Sequence, residues 1–414
     1  MEEAKPFPIS KEAVLEAYKR VKANKGTYGI DEQSIADFES DLENNLYKIW
    51  NRMSSGTYFP KPVRAVAIPK KNGGTRLLGI PTVEDRIAQM TAKMSFEPCV
   101  EPQFYDDSYG YRPNKSMKQA LEVTRKRCWK RSFVLEFDIK GLFDHIRHDH
   151  LLEMVKIHAK DNWVILYIER WLKAPFQLED GTIAERTAGT PQGGVISPVL
   201  ANLFLHYVFD DYMVKEFPTI PWVRYADDGI THCVSVKQAE YLLKRLQERF
   251  AMYGLELNLE KTKIVYCKSD VHKANHEITS FDFLGYTFRP RKAKNKHGTF
   301  FTGFLPAISG KAKKAIRTEI RSWKLQLKSD KSLTDIAKMF NSKIQGWLNH
   351  YAHFYKSELY DVLCYVNGCL LKWAQKKYKK LKAKKKAVRW LENVTKQAPK
   401  LFAHWKVGIV HSAG

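Results

Sequence analysis

The tetrad Tyr225-Ala226-Asp227-Asp228 constrains the fold of this chain more than any other stretch of its sequence. Two adjacent carboxylates lie between apolar runs at residues 220–224 and 229–234. Both runs are rich in β-branched and aromatic residues, and Asp-Asp-Gly supplies turn chemistry, so a β-hairpin is predicted. Two acids at a hairpin tip repel each other unless a cation lies between them, and oxygen ligands favour a divalent ion. Taken alone, an Asp-Asp pair is more often only a polar turn, and the rest of the sequence reverses that preference.

A third acid follows an apolar run upstream of the hairpin. Residues 133–139 predict a buried strand that carries Asp138 at or near its end. A carboxylate within such a run is costly unless it is paired or bound to a metal ion. Asp138 is therefore the expected partner of the Asp227 and Asp228 pair.

The charge of the chain points to a polyanionic partner. The 414 residues include 69 Lys and Arg against 45 Asp and Glu, a net charge of +24. This surplus favours nucleic acid over other partners. No apolar run approaches 18 residues and no signal peptide is recognisable, so no membrane association is expected. The six cysteines form no Cys-x-x-Cys motif, which favours a reduced, cytoplasmic chain without zinc.

Three loops combine cations, aromatics or glycines in ways that suit phosphates. Lys70 and Arg76 flank a glycine turn between two predicted strands, and they either face solvent or clamp a polyphosphate. Residues 109–116 form a second loop, in which Arg112 and Lys115 accompany tyrosines. That loop suits contact with bases or backbone, and its alternative is an ordinary turn with a buried tyrosine. The third loop, residues 188–198, is glycine-rich and leads into a predicted helix at 199–208, whose N-terminus favours an anion.

The last third of the chain is strongly basic. Residues 311–400 contain 23 Lys and Arg against 6 Asp and Glu. Residues 344–355 predict one apolar helical stripe that belongs to a core, and residues 281–288 predict one apolar strand. Residues 376–386 predict a helix with lysines on every side. A solvated face does not explain that density, whereas contact with phosphates does.

In the order in which they occur, these stretches resemble the reverse transcriptases of bacterial group II introns, which also act as maturases. The tetrad at 225–228 and the Thr-Pro-Gln-Gly-Gly-Val-Ile-Ser-Pro loop at 190–198 carry most of the resemblance. It implies an α+β fold, a right-hand polymerase with fingers and palm of antiparallel sheet plus helices, and an α-helical basic thumb or maturase domain. The implied domains are an N-terminal helical extension at 1–60, fingers and palm at 61–305, and thumb at 306–414. The family's fused DNA-cutting domain is expected to be absent.

The same resemblance implies the site residues. Asp138, Asp227 and Asp228 would be the catalytic residues and hold two Mg²⁺ ions. We expect Asp228 to contribute least, because neighbouring strand residues point to opposite faces. The nucleotide site would comprise Lys70, Arg76, Phe143, Gln192 and Lys261. Phe143 would crowd a ribose 2′-hydroxyl, unless it is a core aromatic. Primer and template contacts would come from Tyr225, Arg112, Lys115, Lys376, Lys377, Lys379 and Lys380.

The implied function is an RNA-directed DNA polymerase that copies intron RNA and assists splicing and mobility. Its partners would be an RNA template, a DNA primer and deoxynucleoside triphosphates, and a homodimer is compatible with the sequence. One alternative is a maturase that acts purely as an RNA-binding splicing cofactor. Another is a host-adapted reverse transcriptase in defence or repair.

Overall fold

The computed structural model describes residues 5–69 and 73–410 and divides the chain into two compact units. The first unit comprises Met1–Ala120 and Val134–Ile264, and the second comprises Leu121–Phe133 and Val265–Gly414. The predicted boundaries at residues 60 and 305 concern functional domains and stay a prediction.

Helices and short strands alternate along the chain as far as residue 266. The helices of this part are α1 (Lys11–Asn24), α2 (Ile35–Glu39), α3 (Leu42–Ser54), α4 (Val83–Val100), α5 (Met117–Lys130), α6 (Leu142–His145), α7 (His148–His158), α8 (Asn162–Lys173), α9 (Ser197–Leu205), α10 (Asp211–Glu216) and α11 (Val236–Met252). The strands are β1 (Val63–Pro69), β2 (Thr75–Ile80), β3 (Phe133–Asp138), β4 (Phe176–Gln177), β5 (Ile183–Ala184), β6 (Trp222–Tyr225), β7 (Asp228–Cys233) and β8 (Lys263–Tyr266).

Two four-stranded sheets organise these elements. One has the order β2-β1-β4-β5, with β1 and β4 parallel and the other neighbours antiparallel. Its β1–β2 hairpin confirms the predicted pair of strands around the glycine turn, although Lys70 lies outside the described residues. The other sheet has the order β6-β7-β3-β8. It places the hairpin of the tetrad beside the strand that ends at Asp138.

Helix α11 packs against this second sheet, and its sequence explains both where it begins and which face it buries. Ser235 caps its N-terminus by accepting a hydrogen bond from the backbone N–H of Gln238. Leu242, Leu246 and Phe250 recur every four residues and are fully buried on one face. The Phe250 ring lies 6.0 Å from that of Phe137 on β3. The helix therefore packs its apolar face beneath the strand that delivers Asp138.

The second unit combines an antiparallel sheet with a helical cluster. Its sheet has the order β11-β10-β9. Its named elements are β9 (Phe281–Phe283), β10 (Tyr286–Lys294), β11 (Phe300–Ile308), α12 (Gly310–Ser322), α13 (Leu333–Tyr351), α14 (Ser357–Lys377) and α15 (Lys384–Gln397). Trp323 stacks between Phe340 and Trp347, with ring centroids 4.2 and 5.7 Å apart. Across the described residues, no helix is both long and apolar enough to cross a bilayer.

The prediction of one strand over residues 281–288 is wrong. The run forms a tight hairpin, in which Phe283 pairs with Tyr286. The turn residues Leu284 and Gly285 have φ values of +51° and +81°. Glycine adopts such values without steric cost, which allows the chain to reverse within an apolar run.

Two helical predictions in the basic region also need correction. The stripe at 344–355 is helical only as far as Tyr351, where α13 ends, and Tyr355 has a positive φ of +44°. The lysine run at 376–386 is not one helix, because α14 ends at Lys377 and α15 begins at Lys384. Lysines three and four residues apart repel one another on a helix, which disfavours a continuous one here.

Candidate active site

The hairpin tip places the two adjacent aspartates at the end of the β6–β7 pair. Tyr225 pairs with Asp228, so Ala226 and Asp227 form the two-residue turn. Ala226 has a φ of +56°, which a small side chain tolerates better than a bulky one. A Cβ on Gly110 would lie 2.3 Å from the Ala226 nitrogen, so a side chain at position 110 would collide with the turn.

Asp138 is the last residue of β3, the strand next to β7 in the sheet. Its carboxylate accepts a hydrogen bond from the Lys261 ammonium, with 2.8 Å between Nζ and Oδ2. The loop that carries Lys261 is fixed at the same place, because the Asn258 N–H donates to the Asp138 carbonyl at 2.8 Å. Pairing with the Asp138 carboxylate raises the pKa of Lys261, which keeps the ammonium charged.

Close packing brings the two strands together just below the acids. A Cβ on Gly229, the residue after Asp228, would lie 2.0 Å from the Phe137 ring. Phe137 immediately precedes Asp138. Only glycine leaves room for that ring, so this contact fixes how β7 approaches β3.

The electrostatics of the aspartate pair show a local excess of negative charge. Burial raises the pKa of Asp227, and the Asp138 carboxylate raises it further. Burial, followed by the charges of Asp227 and Asp138, raises the pKa of Asp228 to about 7. Both carboxylates are therefore short of positive charge, although Lys261 lies nearby.

The donor set fits a divalent cation. Three carboxylates supply the hard oxygen ligands that Mg²⁺ prefers, and raised pKa values mark acids whose ionised form lacks a counter-charge. Within residues 5–69 and 73–410, however, no group of three or more His, Cys, Asp or Glu side chains is arranged as a ready-made metal cluster. The Asp138 carboxylate instead accepts a hydrogen bond from the Lys261 ammonium. Asp138, Asp227 and Asp228 are the residues whose carboxylates would hold an ion.

Two of the predicted nucleotide residues, Arg76 and Phe143, line one cleft of the first unit. Arg76 on β2 and the half-buried Phe143 line this cleft together with Asp144, Phe176 and residues 185–190. Gln192 donates a long hydrogen bond of 3.3 Å to the Asp144 carboxylate. The structure therefore brings Arg76, Phe143 and Gln192 into one neighbourhood, and Lys261 lies at the carboxylates.

Backbone hydrogen bonds lock the glycine-rich loop to the turn that carries Phe143. The Thr190 N–H donates to the Phe143 carbonyl at 2.7 Å, and the Gly189 N–H donates to the Ile146 carbonyl at 2.7 Å. A Cβ on Gly189 would lie 2.6 Å from the Phe143 oxygen. Gly189 thus allows two backbone segments of the protein to approach each other closely.

The predicted primer and template residues of the first unit are all half-buried. The Arg112 side chain is 5% exposed and donates to the carbonyls of Tyr105 and Ser108 and to the Glu101 carboxylate. Lys115 pairs with Asp106 and lies 5.3 Å from the Tyr109 ring. Arg112 therefore holds its own loop together, while Tyr225 stays half-buried at the hairpin.

The lysines predicted to contact RNA lie in the second unit. Lys376, Lys379 and Lys380 are exposed. The ammonium of Lys377 instead donates to the carbonyls of Ser329 and Lys331. Three of the four lysines therefore present their charges to solvent.

Sequence reasoning missed two residues beside the tetrad. Tyr111 is 53% exposed, and partial desolvation followed by the charge of the Asp227 carboxylate raises the pKa of its phenol. Arg224, read as part of an apolar flank, is fully buried and paired with Asp210. An arginine inside an apolar strand is a signal in itself, because a buried charge requires a partner.

Two family models match this chain. Residues 68–288, more than half of the chain, match the family described as reverse transcriptase (RNA-dependent DNA polymerase). Residues 313–390 match the group II intron, maturase-specific domain. The first match contains all three aspartates, and the second contains the lysine run as far as residue 386.

Curated relatives agree with these matches. The group II intron-encoded protein LtrA of Lactococcus lactis subsp. cremoris is 30% identical over 345 residues, which cover 67% of this chain and 55% of LtrA. Protein YkfC of Escherichia coli K12 is 28% identical over 326 residues, covering 68% of this chain and 82% of YkfC. The putative COX1/OXI3 intron 1 protein of Saccharomyces cerevisiae is 27% identical over 325 residues, covering 65% of this chain and 37% of that protein.

This chain therefore spans only a little more than half the length of LtrA. The predicted resemblance is confirmed by both family models and by the relatives. The chain, which combines helices with mostly antiparallel strands in the region of the first match, belongs to the reverse transcriptases of the group II intron type.

Proposed function

We propose that this protein copies RNA into DNA and also binds intron RNA to assist its splicing and mobility. The observation that carries the proposal is the hairpin of Asp227 and Asp228 beside the β3 strand that ends at Asp138. Desolvation and mutual repulsion raise the pKa of both hairpin acids. Such a cluster costs stability unless a cation joins it, which supports a role in binding metal.

In this proposal, Asp138, Asp227 and Asp228 hold two Mg²⁺ ions in the palm of a right-hand polymerase. When bound, these ions activate the primer 3′-hydroxyl and neutralise charge on the triphosphate. The primer oxygen attacks the α-phosphorus of a deoxynucleoside triphosphate, and pyrophosphate leaves. Lys261 keeps its ammonium at Asp138 and balances part of the negative charge when the site is open.

The cleft at Arg76 and Phe143 receives the incoming nucleotide. Arg76 offers its guanidinium to the triphosphate, and the same role is proposed for Lys70, which lies outside the described residues. The Thr190 N–H donates to the Phe143 carbonyl, which fixes the backbone from which the Phe143 ring projects. A bulky ring at this position is suited to exclude a ribose 2′-hydroxyl. Gln192 borders the same pocket.

Each predicted domain has its own role in this proposal. Residues 61–305 act as fingers and palm after a helical extension at 1–60, and residues 306–414 act as a thumb that binds RNA. The exposed Lys376, Lys379 and Lys380 supply phosphate contacts there. The partners are an RNA template, a DNA primer and deoxynucleoside triphosphates, with the cytoplasm as the place of action and a homodimer as a compatible assembly.

The two alternatives make different demands on the site. A maturase that only binds RNA gains nothing from three carboxylates that repel the RNA backbone. A host-adapted reverse transcriptase keeps the polymerase site but has no use for binding an intron. Loss of cDNA synthesis in the Asp227 variant described below separates a polymerase from a maturase that only binds RNA.

Replacing Asp227 with Asn should reduce cDNA synthesis on a primed RNA template by about 100-fold or more, the scale on which loss of a preorganised charge acts. RNA affinity should change little, because the acid does not attract RNA. Asp180→Asn is the matched control, since Asp180 is an exposed turn residue of the same unit that accepts a hydrogen bond from the Thr182 N–H. Near-normal synthesis by the Asp227 variant would remove this residue from the metal site.

Replacing Phe143 with Val should weaken discrimination against ribonucleotides by about 10- to 200-fold, the range for a steric difference in a pocket. The measurement is kcat/KM for a deoxynucleotide and its ribonucleotide on one template. Phe59→Val, which removes an exposed aromatic ring of the same unit outside the lining of the cleft, serves as the control and should leave discrimination unchanged. Unchanged discrimination in the Phe143 variant would return that ring to a purely structural role.

Neutralising Lys376, Lys379 and Lys380 together to Gln should weaken RNA binding and reduce the slope of log Kd against log salt by about 2 to 3. Lys377 is left intact because its ammonium binds carbonyls within its own unit. Three exposed lysines of the first unit, Lys156, Lys237 and Lys244, form the control set. An equal salt slope in the test variant and the wild type would show that these exposed lysines do not contact RNA.

A further inference from the structure

Beneath the hairpin of the first unit lies a fully satisfied, buried arginine. Nε and Nη2 of Arg224 donate to the two carboxylate oxygens of Asp210 at 2.7 and 2.6 Å. Nη2 also donates to Ser108 Oγ at 2.8 Å, and Nη1 donates to Asn202 Oδ1 at 3.0 Å. The two side chains of the ion pair are 1% and 0% exposed.

The remaining donor contact of Arg224 reaches the turn itself. Nη1 donates to the carbonyl of Ala226 at 3.2 Å. That carbonyl belongs to the peptide bond that leads directly into Asp227. Arg224 therefore connects the Asp210 carboxylate to the backbone that sets the direction of Asp227.

The loop at residues 107–110 binds to the backbone of Arg224 beside the same turn. The Tyr109 N–H donates to the Arg224 carbonyl at 2.9 Å, and the Arg224 N–H donates to the Asp107 carbonyl at 2.9 Å. Asn202 Nδ2 donates to the Gly110 carbonyl at 2.7 Å, so Asn202 joins this loop to Arg224. With Gly110 packed against Ala226, the turn is enclosed on the side of this loop.

The position of Asp210 depends on a local irregularity. Residues 206–210 form a π-helical turn between α9 and α10. Such a turn inserts one residue into a helix and is common at functional sites. Here it supplies a buried carboxylate opposite Arg224.

Stabilisation of the fold does not by itself explain why this ion pair is buried here. A buried pair of opposite charges is often no more stable than apolar residues of similar volume, although removing one partner is costly. Five directed hydrogen bonds, in contrast, define the position of a backbone turn better than apolar packing does.

We propose that Arg224 is a positioning residue, which together with Asp210 and Asn202 holds the Ala226–Asp227 peptide so that the Asp227 carboxylate faces Asp138. The inference rests on the proposed function, since it assigns the purpose of this geometry to metal binding. It adds a buried polar scaffold behind the carboxylates that contacts neither substrate nor ion.

The test uses the full chain and two variants. The double variant Arg224→Met with Asp210→Leu replaces the buried ion pair with two apolar side chains. Comparable replacements of buried ion pairs preserve folding. Arg224→Lys restores the charge beside Asp210, but a single ammonium cannot reproduce the planar donors that reach Ser108, Asn202 and Ala226 together. Arg170→Met is the control, because Arg170 donates to the carbonyls of Gly56 and Tyr58 in the same unit, away from the hairpin.

Two readouts separate positioning from mere stability. Hydrogen exchange of the backbone amides in residues 225–228 should speed up about 10-fold or more in the double variant and less in Arg224→Lys. The affinity for Mn²⁺ alone, measured by electron paramagnetic resonance, should fall about 10-fold or more, while Arg170→Met matches the wild type in both. If the double variant does not fold, Arg224→Lys carries the test.

Unchanged exchange at the hairpin, or unchanged Mn²⁺ affinity, would overturn the positioning role. Failure of the proposed function is recognised differently. A wild-type protein that binds no Mn²⁺ at the carboxylates would contradict metal binding, and the positioning role with it, even where the exchange rates respond to Arg224.

Discussion

Repulsion among the carboxylates of Asp138, Asp227 and Asp228 is the cost that other contacts in the first unit must offset. Burial and like charge raise the pKa of the two hairpin acids, and one ammonium, that of Lys261, lies against Asp138. The fold keeps the acids together by other means. Gly229 admits the Phe137 ring, the loop at 107–110 binds the Arg224 backbone, and helix α11 supports β3 from beneath.

The nucleotide cleft is built from backbone as much as from side chains. The glycine-rich loop bonds to the turn of Phe143 through Thr190 and Gly189. It also bonds to β2, because the Gly79 N–H donates to the Gln192 carbonyl at 2.8 Å. A Cβ on Gly193 would lie 2.4 Å from the Gly79 oxygen. The loop therefore links the strand of Arg76 to the turn of Phe143, which explains why its glycines cluster.

The sequence predicts the features that depend on local pattern. Apolar runs around Asp-Asp-Gly predict the β6–β7 hairpin, and an apolar run that ends in an acid predicts the strand of Asp138. Local pattern failed where like charges or a turn interrupted it, as in the lysine run at 376–386 and at Leu284-Gly285. The exposure of individual lysines was also beyond reach, since the carbonyls that bind Lys377 are more than 40 residues away.

Long-range polar contacts were the main part of the site that sequence could not reveal. Arg224 meets Asp210 across 14 residues and Ser108 across 116, and the π-helical turn that presents Asp210 has no recognisable pattern. The pairing of Lys261 with Asp138 spans 123 residues. Such contacts depend on how the strands are arranged in the sheet, which residue spacing does not determine.

We propose that the three aspartates form one metal site for polymerisation. Anomalous X-ray scattering from Mn²⁺, in crystals of the protein with primer, RNA template and a non-reactive nucleotide, would locate the ions directly. We expect Mn²⁺ bound by carboxylate oxygens of Asp138 and Asp227. Crystals that hold primer and nucleotide, but show no Mn²⁺ at these carboxylates, would contradict it.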